Sequence, residues 1–308
     1  MDIQSSKVQE IISKQWRRIN PYFEDEFDIA EYANTKNIIA ILDDFYSIIS
    51  EVPTDEFIAP ICSFFDNNVV ARGRRGRWNM ASQLAPPSIE VAKANNIINR
   101  WNPPDKRFLY LAVGDTEKVR ETVFAEMRAK AGEELTVGDF SLRDYAKTKK
   151  IINLDFGAIS RTDIFEELER AKNSTVKQIV GELQPLCCRP TEAVVKSKIA
   201  AVHHQTENTV KVFCGRLLLK ELGDVIFVPL DSDEDNDSSQ KDICYKAFHV
   251  LAEYFENKGY AGIAFPSTRM VLQGKHGTNL VLFDADSAYA LEETMRTLIV
   301  ECEDNGNE

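Results

Sequence analysis

Between Arg100 and Glu121 the chain gathers residue types suited to an anionic, ring-bearing ligand. The segment reads Arg-Trp-Asn-Pro-Pro-Asp-Lys-Arg-Phe-Leu-Tyr-Leu-Ala-Val-Gly-Asp-Thr-Glu-Lys-Val-Arg-Glu. The Arg100 guanidinium is a planar fork that matches a phosphate or carboxylate. Tyr110 brings an aromatic face with a polar tip. Glu117 and Glu121 follow at helical spacing on one face, and a carboxylate there suits a developing positive charge.

Two further stretches have the same character. Arg72-Gly73-Arg74-Arg75-Gly76-Arg77 places four arginines in six positions, with Trp78 next. Such a run can contact phosphates while the aromatic stacks on bases, which makes residues 72–77 the candidate for a nucleic-acid-binding module. Alternatively one of these arginines leaves a strand end to grip a pyrophosphate in a bidentate way. Gly262-Ile263-Ala264-Phe265-Pro266-Ser267-Thr268-Arg269 sets a hydroxyl, Ser267, at the end of an apolar strand, where it can face a ligand or cap a turn.

The elements that must position these groups are legible in outline. Val69-Val70-Ala71 reads as a short strand, and Phe108 to Val113 as a buried one. Asp115 or Thr116 caps a helix over Glu117 to Lys130. Leu135 to Phe140, Lys150 to Phe156 and Asn279 to Phe283 are further strands. Helices are expected over Ile89 to Ile98, Arg161 to Lys172, Thr191 to His204 and Ile243 to Asn257, the last stopping at Gly259. The first 65 residues read as all-helical, with apolar residues at helical spacing from Val8 to Ile19, from Ile38 to Ile49, and through Ile58, Ile61 and Phe65. The apolar face from Ile38 to Ile49 either packs on the rest of the chain or meets a regulator or a second copy. Asp231 to Asp242 is acidic enough to be a surface loop. The expected organisation is therefore a helical extension (1–65), a catalytic body (66–290) with a partly helical insertion around 160–240, and a C-terminal segment with an acidic tail (291–308).

Composition narrows the function classes. The 308 residues hold 49 acidic and 37 basic side chains, a net charge of −12, which disfavours non-specific binding to nucleic acid or to an anionic membrane. No stretch approaches the roughly 20 apolar residues of a membrane helix, and the expected setting is soluble and cytoplasmic. Six scattered cysteines do not form a disulfide framework. Cys187-Cys188 with His203-His204 lacks the one-turn spacing by which paired ligands converge on zinc, so no metal is expected.

Taken together, Val70-Ala71-Arg72-Gly73-Arg74, Arg100-Trp101-Asn102-Pro103, Leu109-Tyr110 with Glu121 eleven positions on, Gly262 to Arg269, and Asn279-Leu280-Val281-Leu282-Phe283 resemble the RES domain family. The likeness spans about residues 66–285, with interruptions. It implies an α+β, ADP-ribosyltransferase-like fold, a sandwich of two antiparallel sheets with helices around a cleft. It also implies a toxin of the toxin–antitoxin type that depletes NAD by hydrolysis or phosphorolysis, with protein ADP-ribosylation as the alternative. NAD is then substrate, and no cofactor is required. By position, Arg72 falls on the family's Arg, Glu121 on its Glu and Ser267 on its Ser, with Arg100 and Tyr110 on its NAD-binding positions. Arg74 is the fallback for Arg72, and Glu117 for Glu121. The chain departs from the family's pattern in its N-terminal extension, in the length of residues 160–240, and in Phe265, where a Tyr is common. A cognate antitoxin or regulator and a homodimer are the partners it raises.

Overall fold

The structure is a computed structural model that describes residues 58–155 and 238–300 continuously, with isolated helical positions elsewhere. The expected N-terminal helices, Cys187-Cys188, His203-His204 and most of the acidic loop lie outside the described residues. The chain divides into two units, Met1–Thr54 with Ala158–Ile226, and Asp55–Gly157 with Phe227–Glu308. The second contains all the strands described below.

Nine strands join in one mixed sheet: β1 (Ile58–Pro60), β2 (Val69–Arg75), β3 (Leu109–Gly114), β4 (Glu134–Leu142), β5 (Lys150–Asn153), β6 (Gly262–Pro266), β7 (Thr278–Leu282), β8 (Ala288–Ala290) and β9 (Arg296–Ile299). Their order is β1-β5-β6-β7-β3-β2-β4-β8, with β9 also on β4. Every pairing is antiparallel except β5 with β6. The fold class is thus α+β, but the described strands follow one connected path, because β2 pairs with β3 through its first residues and with β4 through its last. Ile58 was expected in a helical run and lies in a strand. Three apolar residues are too few to show a period, and pairing of Ile58 with Ile152 and Ala59 with Ile151 decides for the sheet. A short helix, α1 (Cys62–Phe65), follows it.

Strand alternation builds two cores. Val70, Leu109, Leu111, Val113, Leu280 and Leu282 fill the larger one on one face. After a short helix, α2 (Ile89–Ala94), comes the one whose Val119 and Val123 meet Ala71 and Ala112 on the other face. Helix α3 (Thr116–Met127) begins where Asp115 caps it by accepting from the Lys118 N–H, and ends at Arg128, which is left-handed at φ 48°. It rides close on β2: a Cβ added to Gly73 would lie 2.4 Å from Val123 Cγ1, so only glycine fits. Helix α4 (Ser238–Asn257) starts five residues earlier than Ile243, and α5 (Thr268–Leu272) follows β6 directly.

Candidate active site

Ser267 is fully buried at the end of β6 and does three things at once. Its N–H donates to the Gly277 carbonyl (2.7 Å), its Oγ accepts from the Met270 N–H to cap α5, and its hydroxyl donates to Glu126 Oε1 at 2.7 Å. The same Oε1 accepts from Asn279 Nδ2 at 2.6 Å. Asn279 stands on β7 opposite both Phe265 and Ala112, so its side chain shares the face that carries α3. Among the described residues, both bonds to this carboxylate fall on one oxygen, Oε1.

The carboxylate beside Ser267 is therefore Glu126. Glu121 instead pairs with Lys275 Nζ at 2.8 Å, half-exposed. Five residues along a helix is about 140° around it, so the two glutamates cannot serve one face. Glu117 is an exposed residue of the first turn. The sequence does hold a signal for Glu126: it follows Val119, Thr122 and Val123 at i+7, i+4 and i+3, which puts an exposed carboxylate in line with the buried stripe of its helix, toward the strands.

Arg100, Trp101 and Asn102 form a second group. Trp101 is fully buried, edge-on to Phe248 of α4 (5.2 Å) and to Phe265 (5.4 Å). Phe265 thus packs in an apolar contact where a tyrosine hydroxyl would need a partner. The Tyr110 hydroxyl donates to Asn102 Oδ1 at 2.7 Å and accepts from the Trp101 N–H at 3.1 Å. Burial pushes this phenol well up, which keeps it a neutral donor. Asn102 Nδ2 ties the loop to itself through the Lys106 carbonyl at 2.8 Å. Held this way, Arg100 lies over the Phe248 ring and donates from Nη2 to Thr268 Oγ1 at 3.1 Å, next in the chain to Ser267.

Arg72 sits apart from that group. Pairing of β2 with β3 stops at Ala71, and alternation sends Arg72 to the face opposite α3. Its Nη1 donates to the Tyr110 carbonyl at 3.2 Å, bridging the point where the two strands separate. Burial pushes its guanidinium down to about 10, so it stays cationic at neutral pH. The other arginines of the run also have structural partners. Arg74 donates to the Gln83 carbonyl at 2.5 Å and stacks on Trp78 at 4.3 Å. Arg75 reaches the Met127 and Arg128 carbonyls at the end of α3, and Arg77 forks onto Glu134 at 2.5 and 2.7 Å. Gly76, at φ +92°, makes the turn between them.

One cluster was missed from the sequence. Asp155, with its side chain almost wholly buried, accepts from the Thr278 hydroxyl and pairs with His276 Nε2 at 3.5 Å. That ties the loop ahead of β7, whose Gly277 holds Ser267, to the end of β5. The bond to Asp155 raises His276 above its ordinary value, against burial and the nearby Lys118 charge. Its contribution to stability is then complete below about pH 6.5, the unfolded value, and is lost as pH rises through the higher folded value. Melting temperatures of the parent and His276→Gln, compared from pH 6 to 9, are expected to differ most at pH 6 and to converge toward pH 9.

Among the described residues no group of three or more His, Cys, Asp and Glu is placed to hold a metal ion, and no helix is long and apolar enough to cross a membrane. Compared with protein-family models, with curated proteins and with solved structures, the chain has no match.

Proposed function

We propose that this chain is an NAD-consuming enzyme of the RES type, built on an ADP-ribosyltransferase-like core, that breaks the bond between nicotinamide and ribose. The observation that carries this reading is the Ser267–Glu126–Asn279 network, in which two donors hold one oxygen of a carboxylate. The bond in question breaks through an oxocarbenium-like state, in which positive charge grows on the ribose. An ionised carboxylate already held in place stabilises that charge more than it stabilises the ground state. Glu126 takes the role expected of Glu121, Ser267 and Asn279 position it, and Arg100 meets the anionic part of the substrate. Tyr110 and Arg72 hold the segment that presents Arg100 and the strand break beside it. Water or inorganic phosphate then attacks the anomeric carbon, and in a cell the result is NAD depletion, restrained by an antitoxin or regulator.

The bonds made by Arg74, Arg75 and Arg77 favour this reading over nucleic-acid binding, since each guanidinium already has a folded-state use. The test is chromatography of NAD incubated with the purified protein, with and without phosphate. Free nicotinamide is expected, with ADP-ribose or its 1-phosphate as coproduct. Mass added to protein with little free ADP-ribose would indicate protein ADP-ribosylation instead. Intact NAD together with tight, salt-dependent RNA binding would favour the nucleic-acid module.

A further inference from the structure

The turn between α5 and β7 is held at three successive residues. Lys275 pairs with Glu121 of α3 at 2.8 Å, His276 pairs at 3.5 Å with Asp155 beyond the end of β5, and the Gly277 carbonyl accepts from the Ser267 N–H at 2.7 Å. Gly277 has no room for a side chain, because a Cβ there would run into Thr122 of α3 and Met270 of α5. Asp155 also accepts from the hydroxyl of Thr278, the residue opposite Pro266 where β6 ends. It therefore reaches past β6 to clasp β7, two strands away in the sheet. Both donors on Glu126 Oε1 depend on this clasp, Ser267 through its bond to Gly277 and Asn279 as the residue after Thr278.

Of these three holds, that of His276 changes charge near neutral pH. The charges that face its ring are Asp155 from β5 and, opposing it, Lys118 from α3, while Glu121 of α3 is engaged by Lys275. A charge-assisted bond is about twice as strong as a neutral one, so loss of the ring's proton slackens the turn without releasing it. We propose that His276 is a positioning residue, whose charged ring, clasped by Asp155, keeps Ser267 and Asn279 in register with Glu126, so that the site loosens as the ring is neutralised. The consequence for catalysis rests on the reading of Glu126 as the carboxylate that acts on ribose. It falls on kcat, because a displaced carboxylate costs stabilisation of the transition state.

Two readouts follow the same titration. In proton–nitrogen NMR of the free parent chain, the Asn279 side-chain amide is expected to move between pH 6 and 9 at the midpoint of the His276 ring, above the ordinary value of about 6.5. The Asn95 amide, held by the Val91 carbonyl on α2, should stay in place. In turnover, kcat for NAD is expected to fall about 10-fold as pH rises through that midpoint, the order of the difference between a charge-assisted and a neutral bond, with KM little changed. Asp155→Asn should bring the ring midpoint and the fall in kcat to lower pH together. His276→Lys, charged throughout this range, should abolish the fall, and His276→Gln should turn over at the parent's alkaline rate at every pH. The NMR titration needs no variant, so it decides even where a substitution prevents folding. An Asn279 signal that ignores the His276 midpoint, or a fall in kcat that persists in His276→Lys, overturns the proposal. An Asn279 signal that tracks His276 in a protein that leaves NAD intact upholds the positioning role and defeats the NAD-cleavage reading.

Discussion

Glu126→Gln is expected to leave the chain folded and able to bind NAD, with turnover lower by about 100- to 1,000-fold, the usual cost of losing one preorganised electrostatic contact to a transition state. The amide keeps the shape, and its oxygen can still accept from Ser267 and Asn279, but the charge is gone. Glu121→Gln is the matched comparison, since it removes a carboxylate from the same helix that pairs with Lys275. A half-exposed pair of that kind contributes about 0–1 kcal/mol, so this variant should remain within a few fold of the parent and melt within a few degrees of it. Single-turnover rates and melting curves for both variants check the assignment. If Glu121→Gln is the inactive one, Glu126 is only a link between Ser267 and Asn279, and the charge acts elsewhere.

Tyr110→Phe should be the most damaging conservative change in the body of the site. Its hydroxyl satisfies the Trp101 N–H and Asn102 Oδ1 together, and both residues are buried. Deleting it strands one donor and one acceptor, each at about 1–3 kcal/mol, for a loss on the order of 2–6 kcal/mol. Against a usual domain stability of about 5–15 kcal/mol that is a large fraction, and a urea titration reads it as a lower midpoint at unchanged slope. Arg100 hangs from the same loop, so use of NAD should fall even at temperatures where the variant is folded. A midpoint within experimental error of the parent would mean that the loop is held by Trp101 packing alone.

How much of this was legible before the structure depended on range. Local signals were sufficient for α3, because Asp115 caps its own helix three residues on, and for β3, β6 and β7, whose apolar runs are uninterrupted. The Arg-Gly run was harder. The sequence offered it as a run that contacts phosphates, whereas Gly73 is small because Val123 packs over it and its neighbours pair with β4. Those reasons lie some 50 and 65 residues away in sequence. The same holds for the carboxylate: Glu121 matched by its distance from Tyr110, but the carboxylate that bonds to Ser267 and Asn279, more than 140 residues on, is that of Glu126, through helix rotation that spacing from a strand residue does not report. His276 and Asp155 carried no mutual signal, since a lone histidine near a turn is ordinary until the strand order of β5, β6 and β7 brings the carboxylate to it.

The most direct measurement of the central claim is nicotinamide release over time from excess NAD, run side by side with purified parent chain and folded Glu126→Gln. Many molecules of nicotinamide per molecule of parent chain are expected, with a rate at least 100-fold lower for the variant, in keeping with the loss of one charged transition-state contact. Release at equal rates by the two proteins, or NAD left whole by the parent, would contradict it.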